Sequence, residues 1–460
     1  MARWLSVLRP LGWRSDVLVI SGVGMAAGYW AASAAGPGLQ LASILLASLV
    51  GLVMCIWIGQ DDRFNAVPIG WLLAFAMGIR LLAAQASPLL EDDHYRYLWD
   101  GFQTATTGNP YRWAPSHFFG GGLDGSLWSD VLGAINNPDI PTIYGPVLQG
   151  LFAFAYRMNP GQVGAIQAVL WAIELVTLGL LARAGTPMRW LLVYAIHPAV
   201  LKEAMASAHP DGLLGLLLLL AVLAWQGRRP LLLGLVLGLA VAAKVSALVT
   251  LPFFLLVAID RTSTAGRTTP LAWGAAVGAA FSASLALCYL PFLWMGGADW
   301  RALAVFSQQW RFNPLLYRLL ELLTPAGTTR AAAALCLLIA LAALWWRWAR
   351  TGVHAPRAIP PVDTALLLLL LLSPVVNPWY WLWVLPVAVY RQQLLIVGVA
   401  AVGALSYVNS TVMSQIAGSV SPQSFSVPWA VTGLQIGAIF FTVAYLQIKI
   451  SARTRKCGDA

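Results

Sequence analysis

Residues 66–100 have the sequence AVPIGWLLAFAMGIRLLAAQASPLLEDDHYRYLWD. The part from 66 to 84 is apolar apart from Arg80, and its length is close to the roughly 20 residues that a helix needs to cross a bilayer. Three adjacent carboxylates, Glu91-Asp92-Asp93, follow a few residues later. The stretch therefore predicts a membrane-spanning helix that leads into a charged loop facing water.

The composition of the whole chain agrees with this interpretation. Of the 460 residues, 59% are hydrophobic and only 10% are charged, and the mean hydropathy is +0.73. Soluble domains carry roughly 25% charged residues, so we expect an all-α polytopic membrane protein without a sizeable soluble domain. The net charge of +10 comes from basic residues in short loops. Membrane proteins typically keep lysine and arginine in their cytoplasmic loops, and this pattern argues against nucleic-acid binding.

The apolar runs predict about 12–14 transmembrane helices in three regions. Residues 1–64 form two N-terminal helices, 65–293 a membrane module with a long polar loop at 85–143, and 294–460 the C-terminal helices. A second polar segment, rich in aromatic and basic residues, covers 294–329, and we expect amphipathic juxtamembrane helices in both loops. The helix count is open around 145–206 and within 231–258. The predicted runs are 17–34, 39–59, 66–84, 145–157, 162–182, 190–206, 211–226, 231–258, 271–293, 330–346, 363–376, 379–390, 393–408 and 427–449.

The distribution of arginine and lysine predicts the orientation. Basic residues before the first helix, at 228–229, at 347–357, at Arg391 and in the tail at 449–456 favour cytoplasmic N- and C-termini. Counting three crossings from the N-terminus puts the acidic 85–143 loop on the periplasmic side. Counting back from the tail puts 294–329 and 409–426 on the same side. We therefore expect the two long polar segments to meet outside a bacterial inner (plasma) membrane.

The acidic segment is the first candidate for chemistry. Three neighbouring carboxylates repel one another, so at least one of them should have a raised pKa. A carboxylate at the membrane surface is suited to removing a proton from a hydroxyl group. Arg96 and Tyr95 lie beside it in sequence. The alternative is an acidic patch that only marks the outer face, with the nearby aromatic residues forming an interfacial belt.

A second group lies between two apolar runs and consists of Lys202, Glu203, His209 and Asp211. Ionisable residues near a membrane are costly and are functional candidates for that reason. A lysine, a histidine and a helix N-terminus are suited to binding a phosphate. The alternatives are that Lys202 and Glu203 only neutralise each other, and that Asp211 only caps the next helix.

Further candidates are spread along the chain. Arg301 and Arg311 belong to the second outer segment, where they either bind a phosphate or lipid headgroups or decorate an interfacial helix. Tyr380 lies in the aromatic turn Asn377-Pro378-Trp379-Tyr380-Trp381. Glu174 and Lys244 are embedded in apolar runs without an assigned role. The sequence contains no phosphate-binding glycine loop or zinc motif, and we predict no metal site.

Several of these motifs together resemble the GT-C superfamily of integral membrane glycosyltransferases. An acidic pair after a membrane span, followed by Tyr95, Asp100-Gly101 and Gly108-Asn109-Pro110-Tyr111, is similar to its first outer loop. The His209-Pro210-Asp211 turn is similar to its middle region, and the turn from Ser373-Pro374 to Tyr380 to its later part. The resemblance covers about 65–450, with the helices before it as an addition. In many relatives two prolines follow the tyrosine, where this chain has Tyr144-Gly145-Pro146.

Within that superfamily the chain resembles bacterial polyprenyl-phosphate-sugar-dependent mannosyltransferases and, more distantly, the first GPI-anchor mannosyltransferase. The resemblance implies transfer of a sugar, with mannose favoured, from a polyprenyl-phosphate carrier to an acceptor hydroxyl on a glycan, lipid or protein, with inversion. The general base of the family falls on Asp93 or Asp92, depending on the alignment. Candidate partners of the donor phosphate are Arg96, Lys202, His209, Arg301 and Arg311. No cofactor is required, although a divalent cation is possible.

Other classes of protein remain as alternatives. A transporter or flippase of a lipid-linked or anionic solute would need charged residues at the bilayer midplane, for which Glu174 and Lys244 are the only support. An enzyme of the O-antigen-ligase kind would need arginines rather than acids at its centre. The last alternative is a non-catalytic assembly factor.

Overall fold

The computed structural model describes residues 11–121, 123, 126–254, 270–296, 301–352, 358–419 and 426–441. In this part of the chain the fold is 77% helical and contains no strand beyond an isolated bridge between Phe312 and Val375, which confirms the all-α prediction. The α-helices are α1 Trp13–Ser33, α2 Pro37–Gln60, α3 Ile69–Ala83, α4 Asp93–Thr107, α5 Leu127–Gly133, α6 Pro146–Met158, α7 Val163–Arg183, α8 Met188–Ala195, α9 Gly212–Gln226, α10 Pro230–Ala243, α11 Pro270–Trp294, α12 Arg301–Gln309, α13 Leu316–Leu323, α14 Thr329–Arg347, α15 Val362–Leu372, α16 Leu385–Tyr390, α17 Leu394–Val402, α18 Ser410–Ala417 and α19 Trp429–Phe441.

Four of the described helices are long and apolar enough to cross a membrane: Pro37–Gln60, Val163–Arg183, Leu271–Trp294 and Thr329–Arg350. The bent pair Leu394–Tyr407 and Ser410–Ala417 makes a fifth if it is one span. Six shorter apolar helices accompany them. A polytopic membrane protein is therefore confirmed, and the count of 12–14 stays a prediction. The basic tail at 449–456, residues 353–357 of the basic segment 347–357, and the end of the 231–258 run lie outside the described residues.

The predicted run 190–206 is interrupted rather than continuous. Helix α8 ends at Ala195, just before His197-Pro198, because the proline lacks an N–H group for the helical hydrogen bond. A π-helical turn, Val200–Ala206, follows, and Ala208 takes a positive φ of 59° before α9 begins. Helix α2 packs onto the break, where Gly51 is needed since a Cβ there would lie 2.6 Å from the Pro198 ring.

The run 231–258 is also interrupted, at Lys244. Helix α10 ends at Ala243, Lys244 is extended (φ −147°, ψ 128°), and a 3-10 turn, Val245–Thr250, follows. Gly145 approaches this end so closely that a Cβ would lie 2.0 Å from the Ala242 carbonyl oxygen. This contact leaves no room for a side chain at position 145, and it brings Tyr144 beside Lys244.

Hydrogen bonds hold the two long polar segments against neighbouring elements. The side-chain oxygen of Gln40 in α2 accepts a hydrogen bond from the Leu90 N–H at 3.1 Å, so the N-terminal helices support the acidic loop. Phe312 donates to the Pro374 carbonyl at 3.0 Å and accepts from the Val376 N–H at 2.8 Å. The 294–329 segment therefore lies against the turn that carries Asn377. Which side of the membrane they face stays a prediction.

An ion pair in the core accounts for Glu174. Arg80 of α3 donates from Nε and Nη2 to its Oε2 at 3.2 and 3.0 Å, and Tyr194 donates to its Oε1 at 3.0 Å. Arg80 also donates to the Ala195 carbonyl at 2.9 Å. Both charged side chains are fully buried. The ion pair connects α3 with α7, and the hydrogen bonds to Tyr194 and to the Ala195 carbonyl connect both helices with α8. Both charges are therefore satisfied within the core.

Candidate active site

The acidic segment opens helix α4. Leu90 takes a positive φ of 54°, which turns the chain so that Asp92 precedes the helix and Asp93 is its first residue. A single side chain holds both aspartates: Asn136 Nδ2 donates to Asp92 Oδ1 at 2.6 Å and to Asp93 Oδ1 at 3.0 Å. Asn136 was missed from the sequence because it lies 44 residues away, in a polar turn with no pattern of its own.

Asp93 lies where two cavities meet. The narrow cavity, about 60 Å³, is lined by Asp93, Arg96, Asn136, Asn137, Ile140, Pro141, Ile143, Tyr144, Lys244, Phe306, Trp310, Asn377, Trp379 and Tyr380. The wide cavity, about 770 Å³, is lined by amide and hydroxyl side chains, by the charged residues Glu91, Asp92, Asp93 and Arg311, and by apolar and aromatic residues that include Leu90, Trp310, Phe312, Trp379 and Val412. Of the three acidic side chains, only that of Asp93 borders both.

The acidic side chains are weaker acids than usual. Burial raises the pKa of Asp93 to about 6, partly opposed by the Asn136 hydrogen bond and reinforced by the charge of Asp92. Desolvation also raises the pKa of Asp92, and burial raises that of Glu91 well above its ordinary value. A carboxyl group with a pKa near 6 is largely ionised at neutral pH and is still basic enough to accept a proton.

Lys244 is one of the two cations that line the narrow cavity. Its Nζ lies 2.7 Å from Asp211 Oδ1, and Trp383 Nε1 donates to the same oxygen. The ammonium group lies 5.0 Å from the centre of the Tyr380 ring and 5.8 Å from that of Tyr144, distances typical of cation–π contacts. Asp211 is completely buried, whereas Lys244 keeps 16% of its side chain exposed, so only the lysine can reach a ligand.

Arg96 is the second cation of the narrow cavity. Its Nε donates to Asp100 Oδ1 at 3.1 Å and its Nη2 to the Ile140 carbonyl at 2.8 Å. Asp100 is held further by Gln149, which donates to Oδ2 at 3.0 Å. Tyr95 follows Asp93 closely in sequence, but its ring lies against His94 and does not line either cavity.

The group at 202–209 lies behind the cavity wall. Lys202 donates to Glu203 Oε2 at 3.2 Å and to the Tyr407 hydroxyl, which in turn donates to the Glu203 carboxylate at 3.0 Å. His209 is fully buried and shares a hydrogen bond of 2.8 Å with the Tyr97 hydroxyl. Lys202, Glu203 and His209 line neither cavity. Their binding of a phosphate stays a prediction that this arrangement does not favour.

The second polar segment, 294–329, contains the two other arginine candidates, Arg301 and Arg311. Arg311 lines the wide cavity and is held by Glu321, to which Nε and Nη2 donate at 2.8 and 2.6 Å. Arg301 begins α12, and its side chain lies outside the described residues. Within the described chain, no three His, Cys, Asp or Glu side chains are placed to hold a metal ion. The independence from metal stays a prediction.

An all-helical membrane fold around a cavity with a basic carboxylate and paired cations is the arrangement of a polytopic membrane enzyme, and the comparison with known proteins points to a glycosyltransferase. The chain is 25% identical over 404 residues to Alpha-(1->6)-mannopyranosyltransferase A of Mycobacterium tuberculosis, covering 77% of this chain and 72% of that protein. This similarity confirms the resemblance to GT-C mannosyltransferases. No family model matches the chain, and no solved structure matches it.

Proposed function

We propose that this protein transfers mannose from a polyprenyl-phosphate carrier to an acceptor hydroxyl on the periplasmic face of the inner membrane. The observation that carries the proposal is the position of Asp93 at the junction of two cavities, with a pKa raised to about 6. A transfer reaction needs one site for the donor and one for the acceptor, and the base must reach the point where they meet. The sugar is taken from the mannopyranosyltransferase similar to this chain.

The reaction is a single displacement with Asp93 as general base. The Asp93 carboxylate accepts the proton of the acceptor hydroxyl while that oxygen attacks the anomeric carbon of the donor. The bond from this carbon to the phosphate oxygen breaks, and its electron pair leaves with the polyprenyl phosphate. Attack from the face opposite the leaving group inverts the configuration at the anomeric carbon.

The leaving phosphate gains negative charge in the transition state and needs donors placed to receive it. Lys244 and Arg96 are the two cationic side chains among the residues lining the narrow cavity, which also contains Asp93. We therefore assign the donor phosphate to the narrow cavity, with Lys244 as its principal partner. The sequence analysis predicts Arg96, Lys202 and His209 for this role, with Arg301 and Arg311 as further candidates. Of these, Arg96 lines the narrow cavity, whereas Lys202 and His209 are buried and already bonded to neighbours.

The wide cavity then receives the acceptor, and we propose a glycan rather than a lipid or protein. Gln40, Asn137, Gln309, Asn409 and Gln415 line it with amide groups, which donate and accept hydrogen bonds and so suit the hydroxyl groups of a sugar chain. Asp92 lines only this cavity. We accordingly favour Asp93 over Asp92 as the base.

A transporter loses its best support. Glu174 is paired within the core with Arg80, and Lys244 is paired with Asp211 at the wall of the narrow cavity. Glu174 lines neither cavity, and Lys244 borders the cavity that also contains Asp93, so among the described residues these two charges do not line a separate pathway for a solute.

The test is transfer of mannose from polyprenyl-phosphomannose to an α(1→6)-mannoside acceptor by protein purified in detergent. Asp93→Asn should lower kcat by about 10²- to 10⁴-fold, the usual contribution of a general base, whereas Asp92→Asn should lower it less than tenfold. Full activity in both single variants and in the double variant contradicts the proposal. A transporter would not consume the donor, because detergent leaves no second compartment.

A further inference from the structure

The residue His209 contacts three groups that surround the candidate site. Its ring stacks on Trp379, with centroids 3.9 Å apart and an interplanar angle of 12°. Its Nδ1 lies 2.8 Å from the Tyr97 hydroxyl, and its Nε2 lies 3.8 Å from Glu203 Oε2. None of its surface is exposed. His209 therefore cannot touch a bound substrate directly, but it can determine where its neighbours lie.

The surroundings of His209 favour a neutral imidazole. Its nearest carboxylate, that of Glu203, is beyond hydrogen-bond distance and already accepts from Lys202 and Tyr407. Within the described part of the chain, Nε2 has no hydrogen-bond partner. A buried imidazolium without a bonded counter-ion is costly. A neutral ring is a poor partner for a phosphate and a good one for an aromatic face.

The side chain that His209 supports faces the reaction. Trp379 lines both the narrow and the wide cavity, as Asp93 does. One face of its indole is covered by His209, and the remaining surface, 8% exposed, borders the cavities. The sugar being transferred must occupy the junction of the cavities, since its anomeric carbon lies between the leaving phosphate and the acceptor hydroxyl.

We infer that Trp379 is the platform on which the pyranose ring of the donor rests, and that His209 is a positioning residue that holds this platform in place from behind. The C–H bonds of one sugar face are weakly positive and are attracted to the negative face of an aromatic ring. The Tyr97 hydroxyl fixes the rotation of the imidazole, and Tyr97 is itself stacked on Phe152 at 4.9 Å. The inference rests on the proposed function, because it presumes a sugar at the junction.

Substitutions of His209 separate this role from phosphate binding. His209→Ala removes the stack and should raise the donor KM by about 2- to 12-fold, the fold-change that corresponds to the roughly 0.5–1.5 kcal/mol of an aromatic pair. His209→Phe restores an aromatic ring behind Trp379 and should recover most of that loss. Trp379→Ala should raise the donor KM at least as much as His209→Ala.

Trp381→Phe is the matched control. Trp381 belongs to the same 3-10 turn, Pro378–Trp383, and is 1% exposed, but it lines neither cavity. This variant should lower the melting temperature and leave the donor KM unchanged. If His209→Ala also lowers the melting temperature and leaves the donor KM unchanged, His209 has only a structural role and the inference is wrong. If His209→Phe is as impaired as His209→Ala, the ring is not a platform support, which also overturns it.

Including Asp93→Asn in the same experiment separates the inference from the proposed function. Transfer that is unaffected by Asp93→Asn but impaired by the Trp379 and His209 variants refutes the general base and retains the platform. Loss of transfer in Asp93→Asn, with unchanged donor KM in the Trp379 and His209 variants, refutes the platform and retains the base.

Discussion

The hydrogen bond from Asn136 to Asp93 provides a quantitative test of the general base. The Asn136 amide has two N–H groups, one for each aspartate, at 2.6 Å from Asp92 and 3.0 Å from Asp93. This bond stabilises the ionised form of Asp93 and so opposes the rise in pKa that burial causes. Asn136→Ala should therefore raise the pKa of Asp93 further above 6.

The size of the shift follows from the strength of the bond. A hydrogen bond to a charged group contributes about 1.5–3 kcal/mol, and one pKa unit corresponds to about 1.4 kcal/mol. Asn136→Ala should move the acidic limb of the kcat/KM profile from about 6 to about 7–8. Because only the ionised carboxylate is active, the ionised fraction at pH 7 should fall from about 90% to about 10–50%. Activity at pH 7 should then fall by about 2- to 10-fold.

The measurement is kcat/KM for mannose transfer between pH 5 and 9, since this quantity reports the pKa values of the free enzyme. By pH 9 the variant should regain most of the activity of the unmodified protein. Gln309→Ala is the control, because it removes another amide from the wide cavity that, among the described contacts, makes no hydrogen bond to either aspartate. An acidic limb that does not move, or that moves to lower pH, would refute the assignment of Asp93.

Three further predictions concern the supports of the site. Lys244→Met should lower kcat by about 10²- to 10³-fold, as loss of a transition-state donor does, and pairing it with Asp211→Asn keeps the fold intact by avoiding an unpaired buried charge. Gly145→Ala, just before helix α6, should lower the thermal stability in detergent, because its Cβ would lie 2.0 Å from a carbonyl oxygen, whereas Gly150→Ala within α6 meets nothing within 4 Å and should be neutral. Arg80→Met leaves a buried glutamate unpaired and should cost about 3–5 kcal/mol of stability, while neutralising the glutamate as well should restore stability without changing kcat/KM.

The charge distribution of the sequence constrains which polar segments can lie near one another. Counting crossings from the arginines predicts that 85–143, 294–329 and 409–426 lie on one face, and parts of all three line the two cavities that Asp93 borders. The individual partners could not be predicted in this way. Asn136 lies 44 residues from Asp92, and Arg80 lies 94 residues from Glu174. Apolar periodicity says nothing about which helices face each other.

The breaks within apolar runs could be predicted from the sequence only as alternatives, and the helix count is open around 145–206 and within 231–258 for that reason. Hydropathy alone shows 190–206 and 231–258 as continuous, because one proline or lysine hardly changes the average over a span. In the structure both runs stop at such residues, at His197-Pro198 and at Lys244. The break at Lys244 forms part of the site, because it places the Lys244 ammonium group beside Asp211 and Tyr144 instead of inside a continuous helix.

The pairing of every described cation around the cavities has a consequence for the base. Lys244 is paired with Asp211, and Arg311 with Glu321. Such pairs offer N–H groups to a phosphate while adding little net positive charge. An unpaired positive charge near Asp93 would lower its pKa and so weaken it as a base. The charge of Asp211 raises the pKa of Asp93, whereas that of Lys244 lowers it. Asp211→Asn should therefore shift the acidic limb of kcat/KM below pH 6, and Glu321→Gln, which frees the more exposed Arg311, should leave it in place because solvent screens that charge. An acidic limb that rises in Asp211→Asn would show that the pairs do not protect the basicity of Asp93.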